Sequence, residues 1–572
     1  MVGQMLSLVR KTNSWLTGSA AAGAMLLFAA VTAGCAEPPV ATGDRVRDLQ
    51  AAAIHAGKAE FGHWGEDPAN YKAWSSHSNR LIPVYTFGTR NAGPGIDLTS
   101  YTGANSPYRS EKSLQRIYGR MPTHTLNPTA EYGDQTNLFD IQKAALDAGK
   151  KHIFLVIFDG MDWQTTWNAA IYKSGKVPYR EGRGTGLHFL DYTAGDTTQF
   201  GYVVTSPHNA GTDVDVDEQT VKNPNGTQFG GYDPELAGVT PWGNAPEMLY
   251  PISKNEDKSR RHAYTDSSCS ASSMTTGIKS YNGAVNVDYS GHPVATIAHL
   301  AQEVGYAVGA VSSVPISHAT PAASYAHNVE RDDYQDLTRD MLGLKSISHP
   351  DQPLPGLDVV IGGGYGDVRK KDASAGTNFV PGNAYLTDAD RKAVNVKNGG
   401  KYVTAVRSKG VNGAKALQQA ADQASKAKQR LLGFYGVGAA KGHLPYRTAN
   451  GDFKPTVGRS DKQEEYTSAD LDENPTLADM TTAALTALNS RDKFWLMVEP
   501  GDVDWANHDN NIDNSIGAVI SGDDAVKAIT DWVEKNSNWN DSVLIVTADH
   551  GHYFHLVKPE LLLPTTSNTA QK

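Results

Sequence analysis

The sequence predicts an α/β protein: a mostly parallel, doubly wound central sheet with helices on both faces, interrupted by insertions. Short, uniformly apolar runs rich in branched residues recur along the chain, the clearest being His152–Phe158 (HIFLVIF), and such runs suit strands buried on both faces. Segments with apolar residues at helical spacing lie between them, and strands alternating with helices imply a parallel sheet covered on both sides. Acidic or imidazole residues follow several of the runs at once, where open α/β sheets place their ligands.

In chain order, Arg10 and Lys11 precede an apolar stretch over 20–31 and then Thr32-Ala33-Gly34-Cys35. This is the pattern of an export signal over residues 1–35. Its end resembles a bacterial lipobox, with Cys35 lipid-anchored as the mature N-terminus; a plain cut after Ala36 is the competing reading. Either way the sequence predicts export to a bacterial envelope, as a periplasmic protein or a membrane-anchored lipoprotein. Residues 36–150 read as an irregular N-terminal extension, rich in Gly, Pro, Asn and Tyr, that ends in a helix lined by Leu138, Ile141, Ala145 and Leu146 and stopped by Gly149. Residues 151–572 form the expected catalytic domain. Its strands are His152–Phe158 and the runs at 306–314, 358–361, 430–435, 494–498 and 543–547; helices are expected at 415–430, 477–488 and 525–535. The stretch 203–262, full of Gly, Asn, Pro and Asp, reads as an insertion.

Composition narrows the function. The 572 residues carry 52 Lys+Arg against 62 Asp+Glu, a net charge of −10, which argues against nucleic acid as a specific partner. Two cysteines exclude a disulfide scaffold and a zinc module built on cysteine alone. The 18 histidines leave His/Asp metal chemistry open.

The candidate chemistry sits where strands end. The first run leads into Asp159, the run at 494–498 into Glu499, the run at 543–547 into Asp549-His550, and the run at 306–314 toward His318 and Thr320. One carboxylate there is ordinary, but several packed together repel strongly unless cations neutralise them. Asp504 and His508 stand at i, i+4, one above the other on a helix, a pair that suits zinc and equally suits a polar helix face. Asp549 and His550 are adjacent and converge on one ion only where the strand breaks into a turn, which Gly551 permits. Ser267 opens a segment of small residues, SSCSASSMTTG. A hydroxyl at such a helix start faces unpaired N–H groups that favour an alkoxide or a phosphate, though a Ser-rich cap looks the same in isolation.

Thr265-Asp266-Ser267-Ser-Cys-Ser-Ala, followed by Thr-Gly-Ile-Lys-Ser-Tyr-Asn-Gly-Ala, resembles the nucleophile segment of alkaline phosphatases. The resemblance extends in family order through Asp159-Gly160-Met161, His318-Ala-Thr320-Pro-Ala-Ala with Arg331, Glu499, Asp504, His508, Asp549 and His550. It implies a phosphomonoesterase working through a phosphoserine on Ser267, with two zinc ions and one magnesium ion. Asp159, Asp549 and His550 would hold the zinc that lowers the pKa of Ser267. Asp504 and His508 would hold the zinc that activates water. Asp159, Thr320 and Glu499 would bind magnesium, with His318 in its outer shell, and Arg331 would grip phosphate in bidentate fashion. His318 and Trp505 look like the variant found in some members at two variable positions, and His552 is placed behind the ligands. The implied substrates are small phosphate monoesters, and the implied assembly is a homodimer. A sulfatase or phosphodiesterase on the same scaffold, or an inactive metal-binding surface protein, are the alternatives; Arg331 and the three-metal set favour a phosphate monoester.

One departure stands out. The family's second zinc takes a further His from a C-terminal segment far beyond the Asp-His pair, whereas Lys572 comes 22 residues after His550. His208, His262 or water are the expected substitutes. Cys269, among small helix residues, reads as buried packing.

Overall fold

The computed structural model describes residues 41–224, 226, 228–252 and 262–564. The export signal and Cys35 lie outside the described residues. The central sheet has ten strands: β1 Ile82–Phe87, β2 Gly133–Asp134, β3 His152–Phe158, β4 Gln199–Val204, β5 Ala307–Pro315, β6 Val359–Gly363, β7 Tyr402–Val406, β8 Arg430–Phe434, β9 Phe494–Glu499 and β10 Ser542–Ala548. Their spatial order is β7-β8-β6-β5-β9-β3-β10-β1-β4-β2. From β7 through β10 all neighbours are parallel; β1 then runs antiparallel to both β10 and β4. This is the mostly parallel α/β sheet that the sequence predicts.

Both faces are covered, which is why the central strands are buried along their length and largely apolar rather than alternating. In β9 the Phe494 ring packs 5.2 Å from Trp532 on one face. The next residue, Trp495, donates its indole N–H to Gln142 at 2.8 Å on the other. The helices accordingly fall into two layers. Asn137–Asp147 (α1), Ser267–Thr276 (α2) and Ile297–Glu303 (α3) pack together, as do Gly413–Ala427 (α4), Leu477–Leu488 (α5) and the long Ile512–Asn536 (α6).

The stretch 36–150, expected as an irregular extension, contributes a buried interior strand to the sheet, eighth in the spatial order of ten. All six residues of β1 are buried between β10 and β4. Its sequence, IPVYTF, hides the strand because proline usually signals an edge. Here the carbonyl of Pro83 is used instead, accepting the Thr547 hydroxyl at 2.9 Å. The expected insertion begins inside the sheet, at the end of β4, and continues in short ladders such as Val214–Asp215 with Thr220–Val221.

Candidate active site

Strands β5, β9, β3 and β10 are consecutive neighbours, and their carboxyl ends set out the site. Ser312 of β5 lies opposite Glu499, and Phe158 lies opposite Ala548, so Asp159 and Asp549 leave the sheet side by side. Between them the chain turns at Gly160, with φ +72°. Its N–H donates to Asp549 Oδ1 at 2.9 Å, and a Cβ there would stand 2.7 Å from the His552 ring and 3.1 Å from Asp504 Cα. Gly160→Ala therefore meets both a left-handed backbone penalty of roughly 1–2 kcal/mol and a clash between two candidate ligand segments. Calorimetry should show a lower Tm together with reduced metal content; a variant melting with wild type and holding the same metal would refute this packing.

The first cluster gathers Asp159, Asp549, His550 and Ser267, all buried. His550 Nε2 lies 3.3 Å from Asp159 Oδ1, 3.4 Å from Asp549 Oδ2 and 3.2 Å from Ser267 Oγ. His550 Nδ1 faces the Gly551 carbonyl at 3.3 Å, which assigns the proton to Nδ1 and leaves the Nε2 lone pair facing the cluster. Among the described residues, both oxygens of Asp159 and Oδ2 of Asp549 are buried without a hydrogen-bond partner. Burial and neighbouring carboxylates push Asp159 well above the usual range, and burial carries Asp549 up to about 7. Orphaned carboxylate oxygens around an imidazole lone pair are the donor set that zinc takes.

Beside it, Glu499 Oε1, Thr320 Oγ1 and His318 Nδ1 are buried without hydrogen-bond partners among the described residues. The Ser312 hydroxyl donates to the other Glu499 oxygen. Burial raises Glu499 to about 8 in spite of the Ser312 hydroxyl. An all-oxygen set of Asp159, Glu499 and Thr320 fits a hard cation such as magnesium. Burial, followed by the Arg331 charge, lowers His318 to about 4; its ring stands 5.4 Å from Trp505.

The second cluster forms on Asp502–His508, a short helix, where the i, i+4 spacing brings His508 Nε2 within 3.4 Å of Asp504 Oδ1. His552 Nε2 lies 2.7 Å from the same oxygen and donates to it. Sequence reasoning missed the remaining member. His77, from the N-terminal stretch, places Nε2 3.0 Å from His508 Nε2 and 3.7 Å from Asp504 Oδ1, with its ring stacked 3.8 Å from His550. No motif surrounds it; its place is set by the neighbouring Ser78, which pairs with Gly551, Ser78 N–H donating to the Gly551 carbonyl at 2.6 Å. Gly551 is needed here for room rather than for a turn, since a Cβ would come within 2.7 Å of Asp162 Cβ. Burial and the neighbouring His550 and His508 keep His77 well below the usual imidazole value. Burial opposes the charge on Asp504, yet the N–H that His552 donates favours its ionised form. The expected substitutes are engaged elsewhere: His208 bonds Arg120 and stacks on Tyr289, while His262 meets Asn79 and stacks on Tyr250.

Asp266 organises the remaining parts. Its side chain caps α2 by accepting the Cys269 N–H at 3.0 Å, so Ser267 becomes the first helical residue. The other oxygen accepts Arg331 Nη1 at 2.8 Å, aiming that guanidinium beside the serine. Ser267, Arg331, His77, His318, Asp504, Trp505 and His508 share the wall of a cleft of about 990 Å³. Cys269 lies buried, its thiol pushed up to about 12 by burial, the packing role that its neighbours suggest.

The family model described as Alkaline phosphatase matches residues 246–568. An alkaline phosphatase of Escherichia fergusonii is 31% identical over 307 residues, covering 52% of this chain and 60% of that protein. Alkaline phosphatase 4 of Bacillus subtilis is 29% identical, covering 50% of this chain and 49% of that one. The similarity thus spans between half and three-fifths of these relatives' length. A cold-active alkaline phosphatase from a psychrophilic Shewanella superposes with a TM-score of 0.40 at 21% identity, over 70% of this chain and 68% of that chain. With the family model matching more than half of it, this chain belongs to the alkaline phosphatase family.

Proposed function

We propose that the protein is a metal-dependent phosphomonoesterase that hydrolyses small phosphate monoesters through a phosphoserine on Ser267. The observation that supports this most is the position of Ser267 Oγ, at a helix start, 3.2 Å from His550 Nε2 and beside buried carboxylate oxygens that have no hydrogen-bond partner among the described residues. Asp159, Asp549 and His550 would hold one zinc; Asp504 and His508 a second; Asp159, Thr320 and Glu499 a magnesium ion. When bound, such ions neutralise the clustered carboxylates, lower the pKa of coordinated oxygens and stabilise entering and leaving oxygens in an in-line displacement.

The chain's own groups do the rest. Arg331, held by Asp266, binds two oxygens of the phosphoryl group and orients phosphorus toward Ser267. The N–H groups at the start of α2 add favourable dipole to the same charge. Ser267 Oγ attacks phosphorus in line, the ester oxygen departs, and water then cleaves the phosphoserine to regenerate the hydroxyl. Trp505 and His318 wall the cleft beside the reacting group.

Hydrolysis of an aryl phosphate, its diester and its sulfate by the metal-loaded protein tests the reading. The monoester should be turned over fastest by a wide margin, and a preference for diester or sulfate would reject it. Arg331→Ala should lower kcat/KM for the monoester by roughly 10²- to 10³-fold, the loss typical of one charge-stabilising donor, and should narrow the preference for monoester over diester.

A further inference from the structure

We propose that His77 is the third protein ligand of the zinc ion held by Asp504 and His508, and that the N-terminal segment carrying it takes the place which the family fills with residues following its Asp-His pair. The choice of zinc rests on the phosphomonoesterase reading; the ligand geometry does not.

Three atoms define the site. His77 Nε2, His508 Nε2 and Asp504 Oδ1 are separated by 3.0, 3.4 and 3.7 Å. Zinc held at about 2.0–2.1 Å by tetrahedral N and O donors has a donor–donor edge of about 3.3 Å. The triangle is one face of such a tetrahedron, open toward the cleft. The tautomers agree. His77 Nδ1 lies 3.0 Å from the Thr265 carbonyl, and His508 Nδ1 lies 2.5 Å from the Ser75 carbonyl, so each ring donates from Nδ1. Each then presents a bare lone pair at Nε2, and the two lone pairs face each other beside a carboxylate. Three acceptors converging with no donor among them repel unless a cation sits between. The carbonyls that fix both rings are the outer partners a metal-bound imidazole ordinarily has. His552 is excluded from the same role, because its Nε2 is committed as a donor to Asp504 at 2.7 Å; it orients the carboxylate instead.

The path of the chain supports the second half. His77 is reached from the C-terminal side of the Asp-His pair: Ser78 bridges to Gly551, Gly62–Trp64 pairs antiparallel with Phe554–Leu556, and β1 lies against β10. Arg45 Nε donates to the Leu561 carbonyl at 2.9 Å, so the segment starts beside the stretch that follows the pair. The residues involved, 45–87, lie outside the matched region 246–568. Spatially the segment continues from residue 561, while in sequence it precedes β3.

Zinc titration with metal analysis of the purified full chain tests the ligand. Wild type should take up two zinc ions. His77→Gly should keep the ion at Asp159, Asp549 and His550 and bind the other more weakly by more than the roughly 10–100-fold that loss of an outer partner costs. Added imidazole should restore that affinity, and X-ray absorption should show the nitrogen coordination number return with it. Two zinc ions bound at wild-type affinity by His77→Gly would overturn the assignment. If zinc behaves as expected but phosphate monoesters are not hydrolysed, the functional reading fails and the ligand assignment stands; hydrolysis with zinc binding indifferent to His77 gives the reverse. A re-ordered chain, with residues 41–150 placed after residue 564 through a short glycine linker, tests the segment. It should fold and bind both zinc ions, and failure to do either would overturn the relocation.

Discussion

Ser267→Ala should abolish phosphate monoester turnover by roughly three or more orders of magnitude, the scale seen when a nucleophile acting within a concerted set is removed, while leaving the fold intact. Fold retention follows from the local structure. The cap of α2 is made by Asp266 rather than by the serine, and among the described residues the hydroxyl's hydrogen-bond contact is with His550 Nε2. The alanine variant should therefore keep its melting temperature and its zinc content to within small changes. Steady-state kinetics on an aryl phosphate and metal analysis of the same sample decide the matter. Equal slow hydrolysis by wild type and variant would sink the mechanism, and would favour a protein that binds metal without using it. Acid quenching of wild type with labelled substrate should trap label on Ser267, a signal that the variant lacks.

Removal of metal should have the second large effect, and its sign depends on pH. Glu499 rises to about 8 and Asp549 to about 7, chiefly through burial, against unfolded values near 4 for both types. A carboxyl whose folded pKa lies above its unfolded value contributes stability that is fully present below about pH 4 and is lost as pH rises through the folded value. Through these two carboxyls the metal-stripped protein should thus lose stability from about pH 4 to pH 8. The loaded protein should not, because bound cations favour the ionised carboxylates over that range. Melting curves of chelated and metal-replete samples at pH 5 and pH 8 should diverge toward the higher pH. Parallel pH profiles for the two forms would show that these carboxyls are neutralised some other way.

Much of the site was legible because buried parallel strands leave a plain signature. Uniform apolar runs mark β3, β9 and β10, and the residue that follows each run is therefore placed at the sheet's carboxyl edge before any contact is known. Asp504 and His508 were legible for a different reason, the helical spacing that puts them on one face. His77 carries neither signal. It sits in a serine-rich stretch with no periodicity, and it meets His508 across 431 residues of chain. The strand behind it is disguised by Pro83, so the region reads as loop. Tertiary pairing with β10 supplies what local sequence withholds. Gly551 shows a subtler limit: glycine was expected there for a turn, and the structure needs it for clearance against Asp162, a constraint that arises only once distant segments pack.

The insertion of β1 beside β10 also bears on how the molecule comes into being. The Thr547–Pro83 bond joins residues 464 apart, so a strand made early waits for a partner made late. At about 5–20 residues per second, synthesis imposes a delay of roughly 20–90 s. During that interval an apolar strand has an open edge, the kind of surface that captures other chains, and closure of so long a loop is slow and entropically opposed. The nascent protein should depend on a holding factor and should gain metal affinity only after β10 has emerged. Chains stalled before residue 542 would carry β1 paired with β4 alone, open on the side that β10 covers, and no closed site.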